Sequence, residues 1–189
     1  MKHATTRIVF GHWDALRGER AAPDRGDIQP GAMRHVLGDT FILTNEGEPA
    51  FRLAGSRLCA LFGRELSGMP FRALWQREDT AQAEQMTDQV LHETSGIVAG
   101  VVGSNANGSQ IALELILLPL RHNRRTDTRM LGALSPATLP SWAGLVPLVE
   151  LEIRTVRVIA TRPQDATIVP PAAMGERRQQ LVVHDGGLT

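Results

Sequence analysis

The sequence has one cysteine, Cys59, no tyrosine, and only 4% aromatic residues in 189. A lone thiol excludes an internal disulfide and the usual multi-cysteine zinc sites. Within "RLCALF", Cys59 reads as a small buried apolar residue rather than a reactive thiol. Charge of one sign is missing as well: Lys plus Arg and Asp plus Glu number 20 each, so no net field draws nucleic acid or an anionic membrane. No stretch of ~18 uncharged apolar residues occurs, and "MKHATTRIVFGHWDALRGER" lacks the apolar core of a secretory signal. The expectation is a cytoplasmic protein with neither a nucleic-acid nor a membrane partner.

The patterns that carry catalysis are also missing. The histidines, His3, His12, His35, His92, His122 and His184, include no pair spaced to place two imidazoles on one helix face, so no metal site is expected. There is no Gly-x-Ser-x-Gly elbow, no phosphate loop and no dinucleotide fingerprint, and "GSNANG" reads as a hairpin turn. Asp24, Asp27, Glu78 and Asp79 are better explained as turn and cap residues than as a paired acid and base. No catalytic residues are assigned, and the chain is not expected to be an enzyme.

What is present is 42% hydrophobic residues, enough for one core and one domain with extensions. Short helices are expected at His12 to Arg20 and at Pro30 to Leu37, the second ending at Gly38. "TFILTNEG" and "PAFRLAG" form a hairpin signal, and "SRLCALFG" then "RELSGMPFRALW" give short helical turns cut by glycine and Pro70. The longest expected helix runs from an Asp79 cap through Thr94, with Ala83, Met86, Val90 and Leu91 on one stripe. Two strands follow around Asn107 and Gly108, residues suited to positive φ, and then "RMLGALSP". "LVELEIRTVRVI" adds a strand with Val149, Leu151 and Ile153 on one face, and 161–189 lacks a sustained period, as in a mobile tail.

The run Ile111 to Leu120 is apolar on both faces, Leu113, Leu115 and Leu117 on one and Ile116, Leu118 and Leu120 on the other. Both should be buried. The second face needs a cover, either the amino-terminal helices or a second subunit, which makes Ile116, Leu118 and Leu120 interface candidates and a homodimer a possibility.

Three features admit a ligand reading beside a plainer one. His92 lies near the end of the longest helix, where a proximal haem ligand could sit, but beside Glu93 it reads better as a solvated helix-end histidine. Cys59 lacks the flanking asparagine and glutamine pattern of a flavin-adduct photoreceptor, so no cofactor is expected. Arg121, Arg124, Arg125 and Arg129 could hold a phosphate or carboxylate, against the heavier reading of a charged loop.

Two strands, short helices, one longer helix and three strands follow one another in the order of a PAS domain. More narrowly, "WDALRGERAAPDRGDIQP" with "FRLAGSRLCALFGRELSGMPFRALW" resembles the PAS-like family of stand-alone alphaproteobacterial proteins once catalogued as a domain of unknown function. Among the positions that carry the resemblance are Trp13, Arg17, Arg20, Arg25, Asp27, Arg52 and Gly55. The resemblance implies an α+β fold: a five-stranded antiparallel sheet with short helices on one face, here with amino-terminal helices and an extra carboxyl-terminal strand. The division expected is 1–38 helical extension, 39–136 core, 137–160 strand extension and 161–189 tail.

It also implies a non-catalytic sensory or protein-interaction role, a small central cavity, and a separate signalling protein as partner. Strand parity and helix stripe then place Leu53, Leu58, Phe62, Phe71, Leu74, Met86, Val90, Leu113, Leu115 and Met130 around the cavity. Arg17, Arg20, Arg25 and Asp27 are read as an ion-pair network clamping the amino-terminal segment, with an anion site as the alternative. A small cavity-fold enzyme and a purely structural or dimerisation protein remain the other classes.

Overall fold

The computed structural model describes residues 1–122 and 125–159, the side chains of 125–127 excepted. The expected tail at 161–189, Arg124 and the Arg125 side chain therefore lie outside the described residues. Three α-helices, α1 (Ala4–Arg17), α2 (Ser56–Phe62) and α3 (Thr80–His92), accompany six strands, β1 (Thr40–Asn45), β2 (Pro49–Ala54), β3 (Gly96–Asn105), β4 (Gln110–His122), β5 (Arg125–Pro136) and β6 (Leu148–Ile159). They form one antiparallel sheet in the order β2-β1-β5-β4-β3-β6. The five expected strands and the extra one are thus a single sheet, with β6 added beside β3.

The two apolar faces of β4 divide the interior. Leu113, Leu115 and Leu117 belong to an inner core with α2, α3 and the turns between them. Ile116, Leu118 and Leu120 belong to an outer core with Val9, Trp13, Ala22, Ile28, Met33 and Val36 from the amino-terminal segment. The second face is therefore closed within the chain, and at 0% exposure Ile116, Leu118 and Leu120 cannot form the interface considered from the sequence.

The cover is a longer helix than the sequence suggested. α1 starts at Ala4, although Thr5, Thr6, Ile8, Val9 and Gly11 are poor helix formers, and it ends at Arg17 rather than Arg20. Packing overrides propensity here: Thr6, Val9 and Trp13 fall on one buried stripe, and Trp13 Nε1 donates to the Pro119 carbonyl at 2.8 Å. No acidic residue stands in its first turn; Glu114 of β4 supplies the carboxylate instead. Its Oε2 accepts from Lys2 N at 2.8 Å, and its Oε1 from His3 N at 3.0 Å and from the Thr6 hydroxyl.

Pro30 to Leu37 is not a regular helix but two 3₁₀ turns, Pro30–Met33 and Leu37–Asp39. Between α2 and α3 the chain makes short turns, with Gly63 taking the left-handed cap at φ 62°. Asp79 precedes α3 but does not cap it with its side chain; its Oδ2 accepts from Ile153 N at 2.6 Å and so ties the helix to β6. In the β3–β4 turn only Gly108 takes positive φ, and Asn105 rather than Asn107 organises the bend, its Oδ1 accepting from the amides of Asn107 and Ser109.

Candidate functional site

Nine of the ten expected cavity residues, Leu58, Phe62, Phe71, Leu74, Met86, Val90, Leu113, Leu115 and Met130, come together in the inner core. They are packed side chains. Phe41, Phe51, Phe71 and Trp75 form a chain of rings beneath the short helices, with centroids 5.2 Å apart for Phe41–Phe51, 5.9 Å for Phe51–Phe71 and 5.5 Å for Phe71–Trp75. Phe41 is admitted by Gly132 on the neighbouring strand, where any Cβ would overlap its ring.

Leu53 is the exception and a correction. Strand parity puts it beside Phe51, yet it is 53% exposed. A register shift in the β1–β2 pair sets Leu43 against Phe51 and Ile42 against Leu53, leaving Arg52 as the extra residue of a bulge. Leu53 thus turns to the outer side with Ile42. β6 repeats the event: the shift between Ser104 and Asn105 skips Val149, which is 55% exposed while Leu148 and Leu151 are buried.

The inner face does not suit a flavin or a haem. Its space is filled by the rings, and Trp75 Nε1, a buried polar atom there without a partner, offers a single donor where an isoalloxazine edge needs several partners. Thr87, buried on α3, is occupied with the Glu84 carbonyl. Cys59 faces Glu65, its Sγ donating at 3.7 Å. His92 is exposed and its Nδ1–H donates to the Asp88 carbonyl at 3.0 Å, so it does not address the core. Among the described residues, no group of three or more His, Cys, Asp or Glu side chains could hold a metal.

Glu114 is 4% exposed and surrounded by donors. Burial pushes its carboxyl up, but the bonds from Thr6, His3 and Lys2, aided by the His3 charge, outweigh it, and the pKa falls below the ordinary 4.5. Every bond it makes fixes the start of α1, so the carboxylate acts as an anchor rather than as a base.

The amino-terminal arginines divide. Arg17 Nε donates to Asp14 at 2.7 Å and its guanidinium stacks over Trp13 at 5.4 Å. Arg20 reaches Asp24 at 2.9 Å and Asp27 at 3.0 Å, and Arg121 of β4 approaches Asp24 at 3.5 Å. The Arg17 and Arg20 pairs brace the amino-terminal segment internally, and Arg121–Asp24 ties it to the sheet. Arg25 stands apart: half-buried, it has no carboxylate partner among the described residues.

Arg25 instead lines a groove of about 520 Å³ on the outer side of the sheet. Its walls are the 3₁₀ turns from Arg25 to Gly38, strands β1 and β2, and the start of α2, and its lining includes Ile28, Met33, Leu37, Ile42, Leu53, Ala54, Gly55 and Leu131. Arg34 and Arg57 also face it. Arg57 is held by Asp39 through Nε at 2.8 Å and Nη2 at 2.7 Å, bonds that raise its pKa. Gly55 closes the groove's end: its amide donates to the Thr40 carbonyl at 2.8 Å, and a Cβ would overlap the Gly38 and Leu37 carbonyls. No sequence signal located this groove, because turn residues and a bulged strand far apart in the chain build it together.

Among solved structures, the PAS domain of a Colwellia psychrerythraea protein is 13% identical, with 57% of this chain and 97% of that one covered and a TM-score of 0.44. The Light-Oxygen-Voltage protein of Rhodobacter sphaeroides is 17% identical over 57% and 66% of the two chains, with a TM-score of 0.45. The PAS domain of a Haloarcula marismortui protein is 13% identical over 56% and 90%, with a TM-score of 0.42. Likenesses this loose say nothing about ligand or partner. No curated protein matches the sequence. Residues 1–135 match the PAS domain family model, a span that takes in α1, the arginine clamp, the groove and all of the sheet but the last residue of β5 and β6. The chain belongs to the PAS domain family.

Proposed function

We propose that the chain is a non-catalytic, cytoplasmic sensory or interaction module of bacterial signalling, which passes its state to a separate protein by contact. The observation that carries this reading is the filled inner core: the space under the short helices holds Phe41, Phe51, Phe71 and Trp75. A reaction there would need a polar group aimed at a substrate, whereas the buried carboxylate, Glu114, is occupied on the opposite face. Family membership supports the signalling role in general terms. Large exposed apolar side chains in and before the edge strand β6, Leu139, Leu145, Val149 and Val158, support contact with another protein. No described helix is long and apolar enough to cross a membrane.

The test has two arms. Native mass spectrometry and an absorption spectrum of the purified chain should show the protein mass without a flavin or haem band; a retained chromophore would overturn the packed-core reading and report the subunit number as well. Cross-linking in the source cell, followed by reconstitution from purified components, should yield a stoichiometric complex with a signalling protein. If none of the cross-linked proteins reconstitutes, the interaction reading is lost.

A further inference from the structure

The outer groove combines an apolar floor with two arginines, Arg25 and Arg34, that have no acid partner among the described residues. Ile28 and Met33 are 6% and 2% exposed and form its base, while Leu53 and Leu37, 53% and 40% exposed, stand at its mouth. Arg25, Arg34 and Arg57 line it, and no Asp or Glu does. Arg57 is neutralised by Asp39, whereas Arg34, exposed and donating to His35 Nε2 at 3.1 Å, and Arg25, half-buried, have no acid partner among the described residues. The neighbouring Asp24 and Asp27 are already engaged by Arg20 and Arg121.

From this charge complementarity we infer that the groove binds a small amphipathic monoanion, a medium-chain carboxylate whose apolar body rests on Ile28, Met33 and Leu53 and whose carboxylate meets Arg25 and Arg34. The volume of about 520 Å³ suits one such molecule and lies within the ordinary range of small-ligand pockets. Inorganic phosphate would leave the apolar floor wet, and a neutral alkane or alcohol would leave both guanidiniums without a counter-ion. A nucleic-acid backbone would need a row of cations, and the chain carries no net charge to offer one. The site lies across the sheet from the packed inner core. It gives the sensory reading above a ligand class, and it rests on that reading only for its consequence, not for binding.

Calorimetric titration of the full chain with decanoate tests it, with decanol and inorganic phosphate as comparison probes. Decanoate should saturate one site, and decanol and phosphate should each bind at least about tenfold more weakly. Arg25→Ala combined with Arg34→Ala should weaken decanoate by about tenfold or more, whereas Arg72→Ala, which removes a surface arginine paired with Glu48 elsewhere, should leave it unchanged. On the wild-type chain, methyl resonances of Met33 and Leu53 should shift with decanoate while those of Met86 and Leu115 stay in place, so the site is tested even if a variant folds poorly. Absence of saturation up to roughly 1 mM, equal affinity for decanol, shifts confined to the inner core, or binding only to anionic vesicles or an acidic peptide would each overturn the inference. Saturable groove binding that leaves the reconstituted complex unchanged would uphold the site and overturn its signalling consequence.

Discussion

The two faces of the sheet solve the same problem differently. The inner face is covered by helices that follow it closely in sequence, and hydrocarbon and aromatic rings fill the contact. The outer face is covered by the amino-terminal segment, α1 and a series of 3₁₀ turns, held by ion pairs and by Glu114 from 111 residues away. Regular helix over sheet packs tightly; turns over sheet cannot match its surface everywhere, and the groove remains. In this PAS domain aromatic rings fill the centre of the face expected to hold a ligand, and a groove of about 520 Å³ lies on the other side.

Phe51→Ala should break the inner face most severely, lowering stability by about 3–5 kcal/mol through loss of a buried ring and the cavity left behind. Urea unfolding with an unchanged m-value is the measure, and a loss under about 1 kcal/mol would show that the inner core is loosely packed.

Glu114→Gln tests the anchor of the outer cover and should cost about 1.5–3 kcal/mol, the usual worth of hydrogen bonds to a charged group. Because the folded pKa lies below the ordinary 4.5, the anchor's stabilisation is complete above that value and is lost as pH falls through the folded pKa. Protection of the α1 amides, corrected for the intrinsic pH dependence of exchange, should therefore fall as the wild type is acidified through the folded pKa, and the variant should lack this acid-dependent step. Equal pH profiles in the two proteins would remove Glu114 from this role.

Gly55→Ala should cost about 1–3 kcal/mol, since its methyl meets backbone carbonyls that cannot swing away. Thermal unfolding reads it, and a neutral result would mean that the Leu37–Asp39 turn yields easily. Leu53→Ala should have the smallest effect, within about 0.5 kcal/mol. Were Leu53 facing inward as strand parity suggests, the same change would cost about 2–5 kcal/mol, so this one substitution checks the bulge.

Much of the fold was legible because its signals are local. The two-sided β4, the breakers between Phe51 and Phe71, the α3 stripe and the Gly63 cap each follow from a few adjacent residues. Where reading failed, a distant partner decided. The first half of α1 has weak helix formers and no acidic first turn, and only Glu114, Pro119 and the apolar strand beneath stabilise it. Leu53 and Val149 keep perfect alternation in sequence, yet a bulged residue before or at each one moves it to the other side. Both bulges sit on edge strands, which have a partner on one side only and can absorb an extra residue without disturbing a second ladder. The candidate site shared this fate: nine of the ten expected cavity residues meet in one core and Leu53 does not, and grouping apolar residues cannot tell a filled space from an empty one.

By itself, then, the sequence determined the order and type of most elements, the double burial of β4 and the absence of an evident catalytic set, since periodicity and residue chemistry are carried by neighbours along the chain. Only the tertiary structure decided which face α1 closes, where the edge strands change parity, and that Arg25 and Arg34 border an apolar groove with no acid in its lining. Those outcomes depend on side chains that meet across a hundred residues, where shape and charge are settled by packing rather than by pattern.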